Sequence, residues 1–140
     1  MMLLDVNVLL ALTLDQHVHH SAAHERFAHL DGFHTCPTTE AGLVRLLMTE
    51  SLVGRAVTGG EALSQLDAIR HVDGWSFLPD TASLAEPTID LRVLMGRRQV
   101  TDLQLVNLAA AHGTQLATFD AGIRDCLVPN DQQWIQVWSS

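Results

Sequence analysis

Apolar and polar positions along the chain fall into short blocks that switch between a strand rhythm and a helix rhythm. Met2–Leu4 is a brief apolar run that stops at Asp5, which predicts a first strand, and residues 6–14 continue with helical character. Residues 20–30 predict a helix with Ser21 as cap and Ala22, Phe27 and Leu30 inward, stopped by Asp31-Gly32. A strand over 33–36 is closed by Pro37. Thr38 and Thr39 then offer caps to a helix carrying Leu43, Val44, Leu46 and Leu47. The glycines in 51–60 predict a turn. Residues 61–72 place Leu63, Leu66, Ile69 and Arg70 at helical spacing, and 75–78 read as a strand ended by Pro79-Asp80. Residues 84–95 suggest a helix with Pro87 in its first turn. Thr101 followed by Gln104 suggests a capping box, before a helix with Leu103, Val106 and Ala110 on one face and Gly113 as its stop. Strands over 115–119 and 134–138 complete the pattern. Strands alternating with helices predict a parallel sheet covered on both faces.

Length changes that picture little. The 140 residues predict a single domain over 1–140, without repeat or linker. At this size roughly two-thirds of the unfolded surface can be buried. Two cysteines, Cys36 and Cys126, are too few for a disulfide framework and fit a reducing, cytoplasmic compartment as small core residues. The apolar start is broken by Asp5 and Asn7, lacks a charged leader and is too short to span a bilayer, so no membrane role is expected.

Charge changes it more. Net charge is −8, which by itself speaks against a nucleic-acid partner. All eight cationic residues are arginine and lysine is absent. That excludes a P-loop, a Schiff base and lysine-assisted aspartyl-phosphate chemistry. Arg92, Arg97 and Arg98 cluster just before Asp102, either as a solvated helix end or as substrate contacts.

Four acids, Asp5, Glu40, Asp102 and Asp120, stand at predicted junctions where strands hand over to helices. Each has a plain structural explanation. Asp5 suits a helix N-cap, Glu40 and Asp102 suit first-turn positions favoured by the helix dipole, and Asp120 suits a turn. Taken together they are more informative, because connections leaving parallel strands emerge on one edge of the sheet. Carboxylates gathered there would repel unless a hard divalent cation, Mg²⁺ or Mn²⁺, held them.

The segments LLDVNVLLAL, TTEAGLVRLL, VTDLQLVNLAAAHG and LATFDAGI resemble the four acidic motifs of PIN-domain ribonucleases, most closely VapC toxins of the mycobacterial type. The resemblance covers nearly the whole chain. It implies a PIN-like α/β/α sandwich with a central parallel sheet of four to five strands. It also implies an Mg²⁺- or Mn²⁺-dependent endoribonuclease, a hydrolase that arrests translation by cutting structured RNA such as tRNA or rRNA. By position, Asp5, Glu40, Asp102 and Asp120 would be the catalytic, metal-site acids, with Asp5 and Asp102 as principal ligands and Asn7 and Thr118 in support. A cognate VapB-type antitoxin and a homodimer are implied as partners. One departure is that Phe119 and Ala121-Gly122 replace polar or basic residues common around the last aspartate.

Two other functions stay in view: a catalytically idle PIN-like binding module, and a small-molecule phosphatase acting through Asp5. The second lacks a lysine and has Asn7 where such a site uses aspartate. The clustered His17, His19, His20 and His24 include an i,i+4 pair, but the run HSAAH lacks the glutamate of a zinc-protease motif and reads as a polar helix start on the surface. Asp90, Arg92 and Glu86 read as a solvated helix face. Trp134 and Trp138 read as core caps in preference to base-stacking platforms.

Overall fold

The computed structural model describes residues 1–139. Five short strands, β1 (Met2–Leu4), β2 (Phe33–Thr35), β3 (Trp75–Phe77), β4 (Gln115–Thr118) and β5 (Ile135–Val137), make one sheet in the order β3-β2-β1-β4-β5. All four neighbouring pairs are parallel, with Leu3 opposite His34 on one side and Leu116 on the other. Parallel strands need crossovers. These are built from α1 (Val6–Thr13), α2 (His20–Phe27), α3 (Pro37–Leu47), α4 (Glu50–Val53), α5 (Gly59–Arg70), α6 (Val100–Ala111) and α7 (Ala121–Cys126). The result is the expected α/β/α sandwich, at the upper end of the expected strand number.

Successive strand residues point to opposite faces, and the two cores divide accordingly. Leu3 and Leu116 join Leu105, Leu108 and Ala109 of α6 and Ile123 of α7. Leu4 and Ala117 join Val8 and Leu9 of α1, Leu43 and Leu47 of α3, and Phe33. Trp138 is 1% exposed within the second core, and Trp134 packs against the first, so both tryptophans serve packing.

Three sequence expectations are corrected. No helix spans 84–95: the backbone is irregular there, with only a 3₁₀ turn at Leu91–Val93. The reason lies in other elements. The buried Asn107 side chain accepts from the backbone N–H of Thr88 (2.7 Å) and Ile89 (3.3 Å), and the buried Asp131 carboxylate accepts from the N–H of Asp90 (2.7 Å). Those donors are taken by tertiary partners before a helix can use them. Asp90, Arg92 and Glu86 therefore do not share a helix face.

The Thr101–Gln104 capping box is also absent. The chain enters α6 through a 3₁₀ turn, Arg97–Gln99, and the Gln99 side chain accepts from the N–H of Met95 (2.7 Å) and Gly96 (3.0 Å). Gln104 instead donates to Asp80 (3.2 Å). Thirdly, α5 begins at Gly59, where Thr58 and Glu61 form the capping box, and Ala62 is its buried residue while Leu63 is 57% exposed. Smaller differences follow the same logic: His19, with no capping side-chain bond, precedes α2 in place of Ser21, and Cys36 with Thr39 caps α3. Gly113 does end α6, with φ of +66°.

One close approach positions the site. A Cβ on Gly42 of α3 would stand 2.7 Å from Cγ2 of Val6. Glycine at that point lets the middle of α3 press against the first turn of α1.

Candidate active site

Asp5 leaves β1 and caps α1. Its Oδ1 accepts from the N–H of Val6 (2.7 Å), and its Oδ2 accepts from the Thr118 hydroxyl at the end of β4 (2.8 Å). Its own N–H donates to the Ala117 carbonyl (2.9 Å), which locks the end of β1 to its neighbour strand. Asn7 completes the clasp. Its amide donates to Thr118 Oγ1 (3.0 Å), and its carbonyl oxygen accepts from the N–H of Phe119 (3.2 Å). The supporting places read for Asn7 and Thr118 thus correspond to a network that binds the ends of β1 and β4 together.

Asp120 follows on β4 and caps α7, its Oδ1 accepting from the N–H of Gly122 (2.9 Å). A Cβ on Gly122 would sit 3.0 Å from that oxygen, so glycine leaves the carboxylate room. What reads in sequence as a turn is a six-residue helix start. Asp102 lies in the first turn of α6. Together with Asp120 it lines a cleft of about 170 Å³, shared with Gln99, Leu103, Gly122, Ile123 and Cys126.

Electrostatics ties the three aspartates into one group. Burial raises the Asp5 carboxyl above its usual range, the bonds from Thr118 and Val6 oppose that rise, and the charge of Asp120 adds to it. Asp102 is pushed up to about 6, by burial first and then by the carboxylates of Asp5 and Asp120. Among the described residues, Asp5, Asp102 and Asp120 have no ion-pair partner, and the Asp102 carboxylate has no hydrogen-bond donor.

Glu40 is placed differently. It is buried in the first turn of α3, with Oε2 accepting from the Thr35 hydroxyl (2.6 Å) and Oε1 from Arg70 (3.4 Å). It does not figure among the charges that act on Asp5 or Asp102. The structure therefore brings three of the four acids into mutual electrostatic reach and holds the fourth, one strand away, in a separate set of bonds.

The donor set fits a hard divalent ion in its chemistry: three carboxylates without an ion-pair partner among the described residues, one of them, Asp102, with its pKa raised by burial and by the charges of the other two. Among the described residues no three His, Cys, Asp or Glu side chains converge closely enough to cage an ion alone. That suits Mg²⁺, which keeps several waters and is commonly held by one or two carboxylates plus substrate phosphate oxygens.

The histidines have another occupation. His20 of α2 donates from Nδ1 to the Ala11 carbonyl (2.7 Å), and His24 donates from Nε2 to the Leu12 carbonyl (2.9 Å). The i,i+4 pair caps the carbonyl end of α1, which explains the spacing without a metal. Of the three clustered arginines, Arg92 is clamped to Asp90 (2.6 Å), while Arg97 and Arg98 remain exposed before Asp102 without an ion pair among the described residues. Sequence reading missed Thr35, Trp75 and the role of Arg70. Only Arg70 left a signal, as the one charged member of the inward-spaced set on α5.

A family model described as PIN domain matches residues 2–126. The chain is 44% identical over 126 residues to Ribonuclease VapC38 of Mycobacterium tuberculosis, covering 88% of this chain and 87% of that protein. It is 41% identical to Ribonuclease VapC39 of the same organism (88% and 91% covered) and 40% identical to Ribonuclease VapC29 (86% and 86%). In fold it is similar to VapBC2 from Rickettsia felis, solved bound to a DNA fragment from its promoter, with a TM-score of 0.60, 14% identity and coverage of 99% and 98%.

Proposed function

Since the chain belongs to the PIN-domain family, among its VapC ribonucleases, we propose that it is a divalent-metal-dependent endoribonuclease, the toxin of a toxin–antitoxin pair, hydrolysing phosphodiester bonds in structured RNA. The observation that carries the chemistry is the Asp5–Asp102–Asp120 group, three carboxylates in mutual electrostatic reach with no cationic side chain among the described residues paired to them.

In this reading Asp5 and Asp102 hold Mg²⁺ or Mn²⁺, Asp120 assists, and Glu40 takes part from its own corner. The ion would supply a Lewis acid at the scissile phosphate and lower the pKa of the attacking water. The protein's part is positioning. Thr118 and Val6 orient both oxygens of Asp5, Gly122 N–H orients Asp120, and the Asn7 clasp keeps the two strand ends in register. A water nucleophile attacking in line predicts 5′-phosphate and 3′-hydroxyl ends. The exposed Arg97 and Arg98 are the cations best placed for RNA phosphates.

The reading extends to partners: a cognate VapB-type antitoxin that covers the acidic edge, and a second copy of this chain. Exposed Met48 and Leu63, either side of a depression between α3 and α5, offer the second copy an apolar surface. No helix among the described residues is long and apolar enough to cross a membrane.

The test is direct. Purified protein with Mg²⁺ or Mn²⁺ is incubated with bulk tRNA and ribosomal RNA, and the new ends are sequenced. Cleavage that chelator and Asp5→Asn both abolish is the expected result. Equal cleavage by wild type and Asp5→Asn sinks the proposal.

A further inference from the structure

Among the described residues Glu40 is the one site acid with a cation of its own, and the way that cation is held is specific. The Arg70 guanidinium, at the end of α5, lies over the Trp75 ring with its central carbon 4.3 Å from the centroid and over the Phe77 ring at 5.4 Å. From there it donates to Glu40 Oε1 (3.4 Å). The same indole donates from Nε1 to Thr35 Oγ1 (2.8 Å), and Thr35 donates its hydroxyl to Glu40 Oε2 (2.6 Å). The bonds close a ring through β2, α3, α5 and β3: Trp75 to Thr35 to Glu40 to Arg70 and back onto Trp75. Both carboxylate oxygens are engaged, each from a different side chain, and the guanidinium is seated over two aromatic rings.

We propose that Arg70, seated on Trp75, is a positioning residue that holds the Glu40 carboxylate in one orientation for the reaction. This rests on the nuclease reading of Glu40. A surface ion pair would leave the glutamate free to swing. Here a hydroxyl donor and a stacked arginine act on a buried carboxylate, and outer partners of this kind set the direction of the group that meets substrate. The Arg70 side chain is itself partly exposed, so a direct phosphate contact is the competing role, and the experiment separates the two.

The experiment is a double-mutant cycle on the best-cleaved RNA from the bulk tRNA and rRNA digest, with Mg²⁺. Arg70→Met keeps the aliphatic stem over Trp75 and removes the charge. It should lower kcat about tenfold with KM within about twofold of wild type. In a Glu40→Gln background the same change should cost nothing further, because Arg70 acts only through Glu40. Arg70→Lys should recover part of kcat, and serves the same cycle if the methionine variant does not fold. An undiminished kcat in Arg70→Met overturns the proposal. So does an equal loss in both backgrounds, or a rise in KM alone, either of which makes Arg70 a phosphate contact. A readout free of activity is the Trp75 indole N–H resonance, assigned with Trp75→Phe. It should shift in both Arg70→Met and Glu40→Gln. If the wild type cuts no RNA, the nuclease reading falls, while an unmoved indole signal overturns the ring itself.

Discussion

Asp102 and Glu40 occupy matching places, each in the first turn of a helix, yet their carboxylates have opposite surroundings. Glu40 is buried with a hydroxyl and a guanidinium on its two oxygens. Asp102 is half-buried beside two other carboxylates, with no hydrogen-bond donor among the described residues, and its carboxyl rises to about 6. The same local feature, an acid where the helix dipole favours one, thus yields a satisfied group at one corner and an unsatisfied one at the other. The unsatisfied corner is where an external cation has something to neutralise. The satisfied corner is where the protein has already supplied one.

The largest expected effect separates the corners by charge removal. Asp5→Asn and Asp102→Asn should each lower cleavage roughly 10²–10³-fold, the scale of removing a preorganised electrostatic group. Glu40→Gln should cost less, because Glu40 stands outside the three-carboxylate group and does not act on Asp5 or Asp102. Equal losses in single-turnover assays at all three positions would erase the distinction.

Next in size is the helix approach that places the Glu40 corner. Gly42→Ala puts a methyl 2.7 Å from the stiff Val6 side chain. It should destabilise by about 1–3 kcal/mol, read as a lower Tm, and Val6→Ala in the same chain should restore most of it. A Gly42→Ala protein with wild-type Tm would mean that α3 and α1 approach less closely.

A smaller effect is the pH response of the metal-free protein. Asp102 binds its proton more tightly folded than unfolded, its pKa moving from the ordinary 3.8 to about 6. Stability from this group is therefore full below about 3.8 and is lost as pH rises through about 6. With chelator present, acidifying from pH 7 to 5 should raise stability by about 1 kcal/mol once solvent screening is allowed for. Asp5, raised in the same direction, adds to it. Asp102→Asn should flatten the profile in thermal melts, as should Mg²⁺. A wild type that gains no more from acid than Asp102→Asn would dissolve the three-aspartate group.

The smallest expected effect concerns the arginines beside the Asp102 corner. Arg97→Ala and Arg98→Ala should each weaken RNA binding a few-fold and reduce its salt slope by up to about 0.7–0.9, with kcat unchanged. Salt slopes equal to wild type would move the RNA path elsewhere.

How much could be read beforehand differs by region. Met2–Leu4 is a short apolar run stopped by Asp5, and the short stretch Gln115–Phe119 runs directly into Asp120, so the strands and the positions of both aspartates followed from local pattern. Segment 84–95 looked helical and is not, because Asn107 and Asp131, distant in sequence, take its backbone donors. Leu63 looked inward and is exposed, because only the docked position of α5 decides which face is covered.

By itself the sequence determined the alternation of strands and helices, the four acids and their order, and the family those motifs resemble. Each of these depends on neighbours a few residues apart, where spacing and side-chain chemistry suffice. Only the tertiary structure decided that the acids divide three to one. Whether a carboxylate is paired depends on which side chains arrive from other elements. Arg70 reaches Glu40 across thirty residues, Thr118 reaches Asp5 across the pairing of β1 with β4, and no spacing rule along the chain records either meeting.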